Sequence, residues 1–299
     1  MRTLTGFGTM SDVAESTDAP AVLVEHLPPD DPADDSGVTA LLTLRDPRRR
    51  NAMSRALSDR LVEALDGVAA DERVHAVVVT GAADRGPAFC AGGDLDELAA
   101  IGESEGPGAE QDIAAVYAGF VALAACPVPT IAAVDGPAVG AGINVALATD
   151  IRLAGDTARF EPGFLRLGLH PGGGMTWMAQ RLVGQQATLA MLLGGEGMDA
   201  AAAERSGLAL RRVPGEMPDP PVGADGTAAR SPVVVEALRM AAHSARAPRD
   251  LVVATKASVR ATADLADHAA AVDVEVGPQL TSLHSPAFRA GLERVRRRR

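Results

Sequence analysis

Two glycine-rich stretches carry the residue types and spacing from which chemistry could be built. One is Phe89-Cys90-Ala91-Gly92-Gly93-Asp94-Leu95, soon after an apolar run that ends at Thr80-Gly81. The other is Asp135-Gly136-Pro137-Ala138-Val139-Gly140-Ala141-Gly142. Glycine admits backbone conformations closed to other residues and lets a ligand approach the main chain. The second stretch opens a helix, so its free N–H groups and the helix dipole point at whatever docks there. Two turns that each present one N–H could hold a single oxygen as it becomes negative, an oxyanion hole. Ordinary tight turns would use the same residues. Neither stretch is a Walker loop, which needs Gly-Lys-Ser/Thr, or a G-x-G-x-x-G dinucleotide fingerprint. Cys90 and Cys126 are the only two cysteines, and neither sits beside a His in a nucleophile motif, so both read as packing residues. The six His are scattered without metal-ligand spacing, so no metal site is expected.

The elements that must position these turns follow from periodicity. Val22-Leu23-Val24 and Val38 to Leu44 read as strands flanking an acidic Pro/Asp loop. Ser54 can cap a helix running to about Ala70, with Leu57, Leu61, Val62, Leu65 and Val68 on one face. His75 to Thr80 reads as a strand, Asp112 to Ala125 as a helix, and Pro129 to Val134 as the next strand. That order implies parallel strands with right-handed crossovers. A small-residue helix to Ala148, a strand over Asp150 to Ala154, helical residues 173–206 and a short strand near Leu208 to Val213 complete an α/β core. Residues 98–108 read as a mobile loop or a surface linker. The chain divides into a disordered lead (1–19), the core (20–213), a Pro/Gly-rich linker (214–232) and an all-helical region (233–299) with breaks near Pro248 and Pro286.

Composition narrows the function. Of 299 residues 47% are hydrophobic, 22% charged and 3% aromatic, the balance of a folded protein with small side chains in its core. A net charge of −11 disfavours a nucleic-acid partner. The acid is concentrated early, and the chain closes on Arg294, Arg296, Arg297, Arg298 and Arg299, which fit the end of a helix or, less simply, a polyanion contact. Apolar stretches are broken well before the roughly 18 residues a membrane span needs. The first residues lack the apolar core of a secretion signal. A cytoplasmic protein without a membrane partner is expected.

The motifs resemble the crotonase, or enoyl-CoA hydratase/isomerase, superfamily. The resemblance runs from about Val22 to Gly291. It rests on Leu44-Arg45-Asp46-Pro47, Asn51-Ala52-Met53-Ser54, the two glycine-rich stretches, Asp150-Ile151-Arg152-Leu153-Ala154 and Gly168-Leu169-His170-Pro171-Gly172-Gly173-Gly174, in that order. It implies a β/β/α spiral core, a C-terminal helical trimerisation region, a homotrimer or hexamer, and an acyl-CoA thioester as substrate, with CoA part of the substrate and no separate cofactor. The oxyanion hole maps to the backbone N–H of Gly93 and of Ala141. Gly92 and Gly142 serve shape. Arg45, Arg50, Ala91 and Lys256 are the candidates for contact with CoA. The two glutamates of a hydratase map to Asn144 and Phe164, and neither of those side chains can move a proton near neutral pH. Glu161 and His170 are the candidate substitutes, each also readable as structural: Glu161 as a solvated or capping acid, His170 as a loop-fixing hydrogen bond. The family reading is an enzyme that stabilises a thioester enolate for hydration or isomerisation, with classical hydration in doubt. The alternative is a non-catalytic acyl-CoA-binding protein.

Overall fold

The computed structural model describes residues 19–29, 36–104, 106–215 and 230–297. Residues 1–18 of the expected lead, 216–229 of the expected linker, and Arg298 and Arg299 lie outside them.

Among the described residues the first elements are β1 (Ala21–Leu27) and β2 (Val38–Arg45), paired antiparallel with Val24 opposite Leu42. Ser54 caps α1 (Arg55–Ala70) by accepting the Leu57 N–H, and α1 carries the chain over to β3 (Val74–Gly81), parallel to β2. Next come α2 (Leu95–Gly102), α3 (Pro107–Ala125) and β4 (Thr130–Val134). β5 (Pro137–Val139) leads into α4 (Ala141–Leu147), followed by β6 (Ile151–Gly155) and β7 (Arg159–Glu161). A single 3₁₀ turn (Leu165–Leu167) precedes α5 (Met175–Gly194), which bends at Gly184. β8 (Met198–Asp199), α6 (Ala200–Ser206) and β9 (Arg211–Val213) close this part of the fold. Four helices follow: α7 (Pro232–Ala245), α8 (Arg249–Thr262), α9 (His268–Leu283) and α10 (Pro286–Arg297).

The strands form a six-stranded sheet in the order β1-β2-β3-β4-β6-β9, parallel beyond β1, and a three-stranded sheet in the order β5-β7-β8. β3 and β4 are buried along their lengths because the large sheet is covered on both faces. Side chains alternate between those faces. Val77 and Val79 join Leu57, Leu61 and Phe120 under α1 and α3, whereas Ala76 and Val78 join Val233, Ala237 and Ala241 under α7. The first helix of the C-terminal region is thus packed on the sheet. By contrast, α9 and α10 bury no residue, and Val276, Leu280, Phe288 and Val295 lie exposed along them. Among the described residues no helix is long and apolar enough to cross a membrane.

Three features differ from the sequence reading. Residues 98–108 are largely helical, because Asp94 caps α2 by accepting the Asp96 and Glu97 N–H groups at 3.0 and 3.1 Å. The helical stretch 173–206 is two helices separated by β8. The strands β5 and β7 are three residues long, too short to show a hydrophobic period.

Candidate active site

The two glycine-rich stretches lie side by side and are sewn together through their backbones. Val139 N–H donates to Cys90 O at 2.9 Å, and the Phe89 and Cys90 N–H groups donate to Pro137 O at 3.1 and 3.2 Å. Gly142 makes this approach possible: a Cβ there would lie 2.2 Å from Cys90 O. Behind the first stretch, Asn51 donates to Ala82 O at 2.9 Å and Ala88 O at 2.8 Å and accepts the Asp46 N–H at 3.0 Å. Asn51 adopts φ +61°, a conformation Asn tolerates better than most residues. It staples three segments of chain beneath the site.

This framework leaves two N–H groups uncommitted. Met53 N–H donates to Gly92 O at 2.7 Å and Met53 O accepts the Asp94 N–H at 3.1 Å, so Gly93, opposite Met53 in this parallel bridge, turns its own N–H the other way. Ala141 is the first residue of α4, where an N–H has no intrahelical acceptor. Among the described residues neither group donates a backbone hydrogen bond. Both residues line one cavity of about 700 Å³.

Most of that cavity is apolar. Leu98 and Ile101 of α2 and Val116 and Phe120 of α3 line it. Asn144, Phe164, Ala91 and His170 also line it, with Gly93 and Ala141, so the fold gathers six of the residues named from sequence around one space. Asn144 is buried, its Nδ2 donating to Gly172 O at 2.8 Å and Gly173 O at 3.0 Å. Phe164 is buried, and its ring packs near Gly140. His170 is exposed at the rim.

Four named residues are not part of the lining. Glu161 sits on β7 with its carboxyl group packed against Gly197, where a Cβ would approach it to 2.6 Å. Arg45 pairs with Asp84 at 3.0 Å. Arg50 reaches Pro87 O at 3.3 Å, beside the first glycine-rich stretch, and its own carbonyl accepts the Ala91 N–H at 3.1 Å. Lys256 is buried at a second cavity of about 390 Å³, where its Nζ meets Asp150 at 2.5 Å and Val128 O at 2.7 Å. Burial pulls its pKa below the usual lysine value, and Asp150 opposes that shift.

Sequence reasoning missed three polar residues of the lining: Glu110 and Tyr117 of α3, and Arg166. Tyr117 is the single tyrosine of the chain, a signal that composition alone contained. Burial raises its pKa above the usual phenol value. Cys90 is buried beneath the first stretch, and burial pushes its thiol up to about 11. Among the described residues no cluster of His, Cys, Asp or Glu could hold a metal ion.

The family model described as enoyl-CoA hydratase/isomerase matches residues 34–219. The chain is 48% identical over 264 residues to a protein of Mycobacterium tuberculosis named probable enoyl-CoA hydratase EchA14, covering 87% of this chain and 94% of that one. A crystal structure of a probable enoyl-CoA hydratase/isomerase from Mycobacterium abscessus is 28% identical, with a TM-score of 0.74, and covers 93% of this chain and 96% of its own. One of an enoyl-CoA hydratase from Polaromonas sp. JS666 is 26% identical, with a TM-score of 0.75, covering 92% and 97%.

Proposed function

The chain belongs to the enoyl-CoA hydratase/isomerase family and has the crotonase fold, and from that footing we propose that it binds an acyl-CoA thioester with the thioester oxygen between the N–H groups of Gly93 and Ala141. The observation that carries this reading is the pair of uncommitted N–H groups on turns sewn to each other, on two residues that line one apolar cavity. Donors fixed in advance stabilise an enolate oxygen without reorganising as charge develops, and one such donor is worth about 3 kcal/mol in the transition state. The apolar lining suits an acyl chain, and CoA enters as part of the substrate. Arg50, beside Ala91 at the edge of the first stretch, is the cation best placed for the CoA end.

Asn144 and Phe164 stand where hydratases of this family carry glutamates. Each positioned acid or base contributes about 10²–10⁴ in rate. Hydration of crotonyl-CoA by this chain is therefore expected to fall below the ordinary enzyme range of about 1–10³ s⁻¹. The same replacement favours a second reading, an acyl-CoA-binding protein without catalysis.

The test is calorimetric binding of crotonyl-CoA, followed by its turnover, for the wild type and Ala141→Pro. Proline is well tolerated at the first position of a helix and lacks the donor. Saturable binding with turnover cut by about 10²–10³ in the variant is expected. Absence of binding, or a variant as active as the wild type, overturns the proposal. Binding without any turnover on enoyl thioesters selects the second reading.

A further inference from the structure

Two polar side-chain atoms, on residues that line the cavity, are used by neither the fold nor the pair of backbone donors. Both Nδ2 hydrogens of Asn144 go to carbonyl oxygens, those of Gly172 and Gly173, which fixes the amide's orientation. Its Oδ1, buried on a residue 2% exposed, has no hydrogen-bond partner among the described residues. Tyr117 brings its hydroxyl to the same turn from the other side: a Cβ on Gly172 would lie 2.1 Å from Oη. A Cβ on Gly173, at φ +61°, would lie 2.6 Å from Asn144 Nδ2 and equally close to the Phe120 ring. The turn is built of glycine because these side chains fill the space that other residues would need. The Tyr117 ring is held at a 40° tilt to Phe120, with centroids 5.3 Å apart.

Tyr117 is half-buried, whereas Glu110, Arg166 and His170, the other titratable residues lining the cavity, are exposed. Glu161 is packed against Gly197. Sheltered proton transfer in this cavity thus falls to the phenol, next to the position where the family's hydratases carry their first glutamate.

We propose that Tyr117 is a catalytic residue, the proton donor to the α-carbon of a thioester enolate. The inference rests on the acyl-CoA reading above. In the step, the enolate C=C electron pair forms the new Cα–H bond. The Tyr117 O–H bond breaks and leaves its pair on the phenolate oxygen. The C–O⁻ facing Gly93 and Ala141 returns to C=O. The phenolate then takes a proton from solvent water, and the hydroxide left behind passes to the solvent. Run backwards, the phenolate removes an α-proton from a saturated acyl thioester.

Electrostatics suit the donor role. Burial alone drives the upward shift of the phenol, so it is protonated at neutral pH. Glu110 on its own helix, Arg166 and His170 share the cavity lining with it. On the elements packed against α3, Arg55 of α1 is tied to Asp112, and Glu97 of α2 accepts the Arg55 backbone N–H.

The experiment is exchange of the α-protons of butyryl-CoA in D₂O, followed by NMR for the full chain and for Tyr117→Phe, with butyryl-CoA affinity measured on both. The wild type is expected to exchange with a rate that rises about tenfold per pH unit from 7 to 9, since only phenolate can act as base. Tyr117→Phe is expected to lose about 10²–10⁴ of that exchange while binding the ester within about threefold of wild type. Three outcomes overturn the proposal and leave the acyl-CoA reading intact. They are undiminished exchange in the variant, binding without exchange in the wild type, or an exchange rate that levels off near pH 7 as an imidazole would impose. Failure of butyryl-CoA to bind at all overturns both.

Discussion

Replacing Gly142 by alanine tests whether the contact between the two glycine-rich turns sets the geometry of the site. The added Cβ would lie 2.2 Å from Cys90 O and 3.0 Å from the Cys90 carbonyl carbon and Cβ. Ordinary carbon contacts lie near 3.5 Å, so the turns must separate by about 1 Å. The obstacle is backbone on one side and a helix start on the other, and no rotamer can relieve it. Overpacking of this kind costs about 1–3 kcal/mol in stability. The separation also moves Ala141 N–H relative to Gly93 N–H, and misplacing a catalytic group by about 1 Å costs about 10²-fold in rate. Gly142→Ala should therefore melt several degrees lower and, assayed well below its melting point, catalyse butyryl-CoA α-proton exchange about 10²-fold more slowly. A folded Gly142→Ala chain with the wild-type rate would refute the argument that this contact fixes the donors.

Other outcomes follow from the same structure. Gly67 in α1 has open space where its Cβ would go, so Gly67→Ala should stabilise the chain by about 0.5–1 kcal/mol and raise Tm by a degree or more. Cys90 is buried with its thiol pushed up to about 11, and Cys126 is buried with its thiol raised too, so at pH 8 both should resist iodoacetamide until denaturant is added. Rapid labelling of the native chain would show that the site opens. The exposed apolar residues of α9 and α10 should be covered by further copies of the chain. Sedimentation at micromolar concentration should then give three or six times the chain mass, and a monomer that keeps its fold would contradict this.

The long elements were legible because burial writes a period into sequence. β3 and β4 are continuous apolar runs because helices cover both faces of their sheet, and α1 shows Ser54 followed by Leu57, Leu61 and Leu65 on one side. The short ones were not. β5, β7 and β8 span two or three residues, and their pairing depends on partners far along the chain. Glu161 illustrates the cost: one residue of β7 decides whether a carboxylate faces the cavity or Gly197, and no pattern over three residues encodes that. Lys256 and Tyr117 show the complementary gap. A lone lysine reads as a phosphate ligand until α8 folds it onto Asp150. A lone tyrosine carries no pattern of its own, and only the docking of α3 beside the Gly172 turn brings Tyr117 to the cavity.

The sewing of one turn to the other also bears on how such a site can change over generations. The two donors proposed here belong to the main chain, so most single-codon changes leave a main-chain N–H in place. The side chains around them stand on separate elements: Tyr117 on α3, Asn144 on α4, Phe164 just before the 3₁₀ turn. Each can be exchanged alone without disturbing the hydrogen bonds among Phe89, Cys90, Pro137 and Val139. Inheritance of the substrate handle is thereby separated from inheritance of the reaction. A gene duplicate can lose one chemistry and try another while it still holds the same kind of molecule.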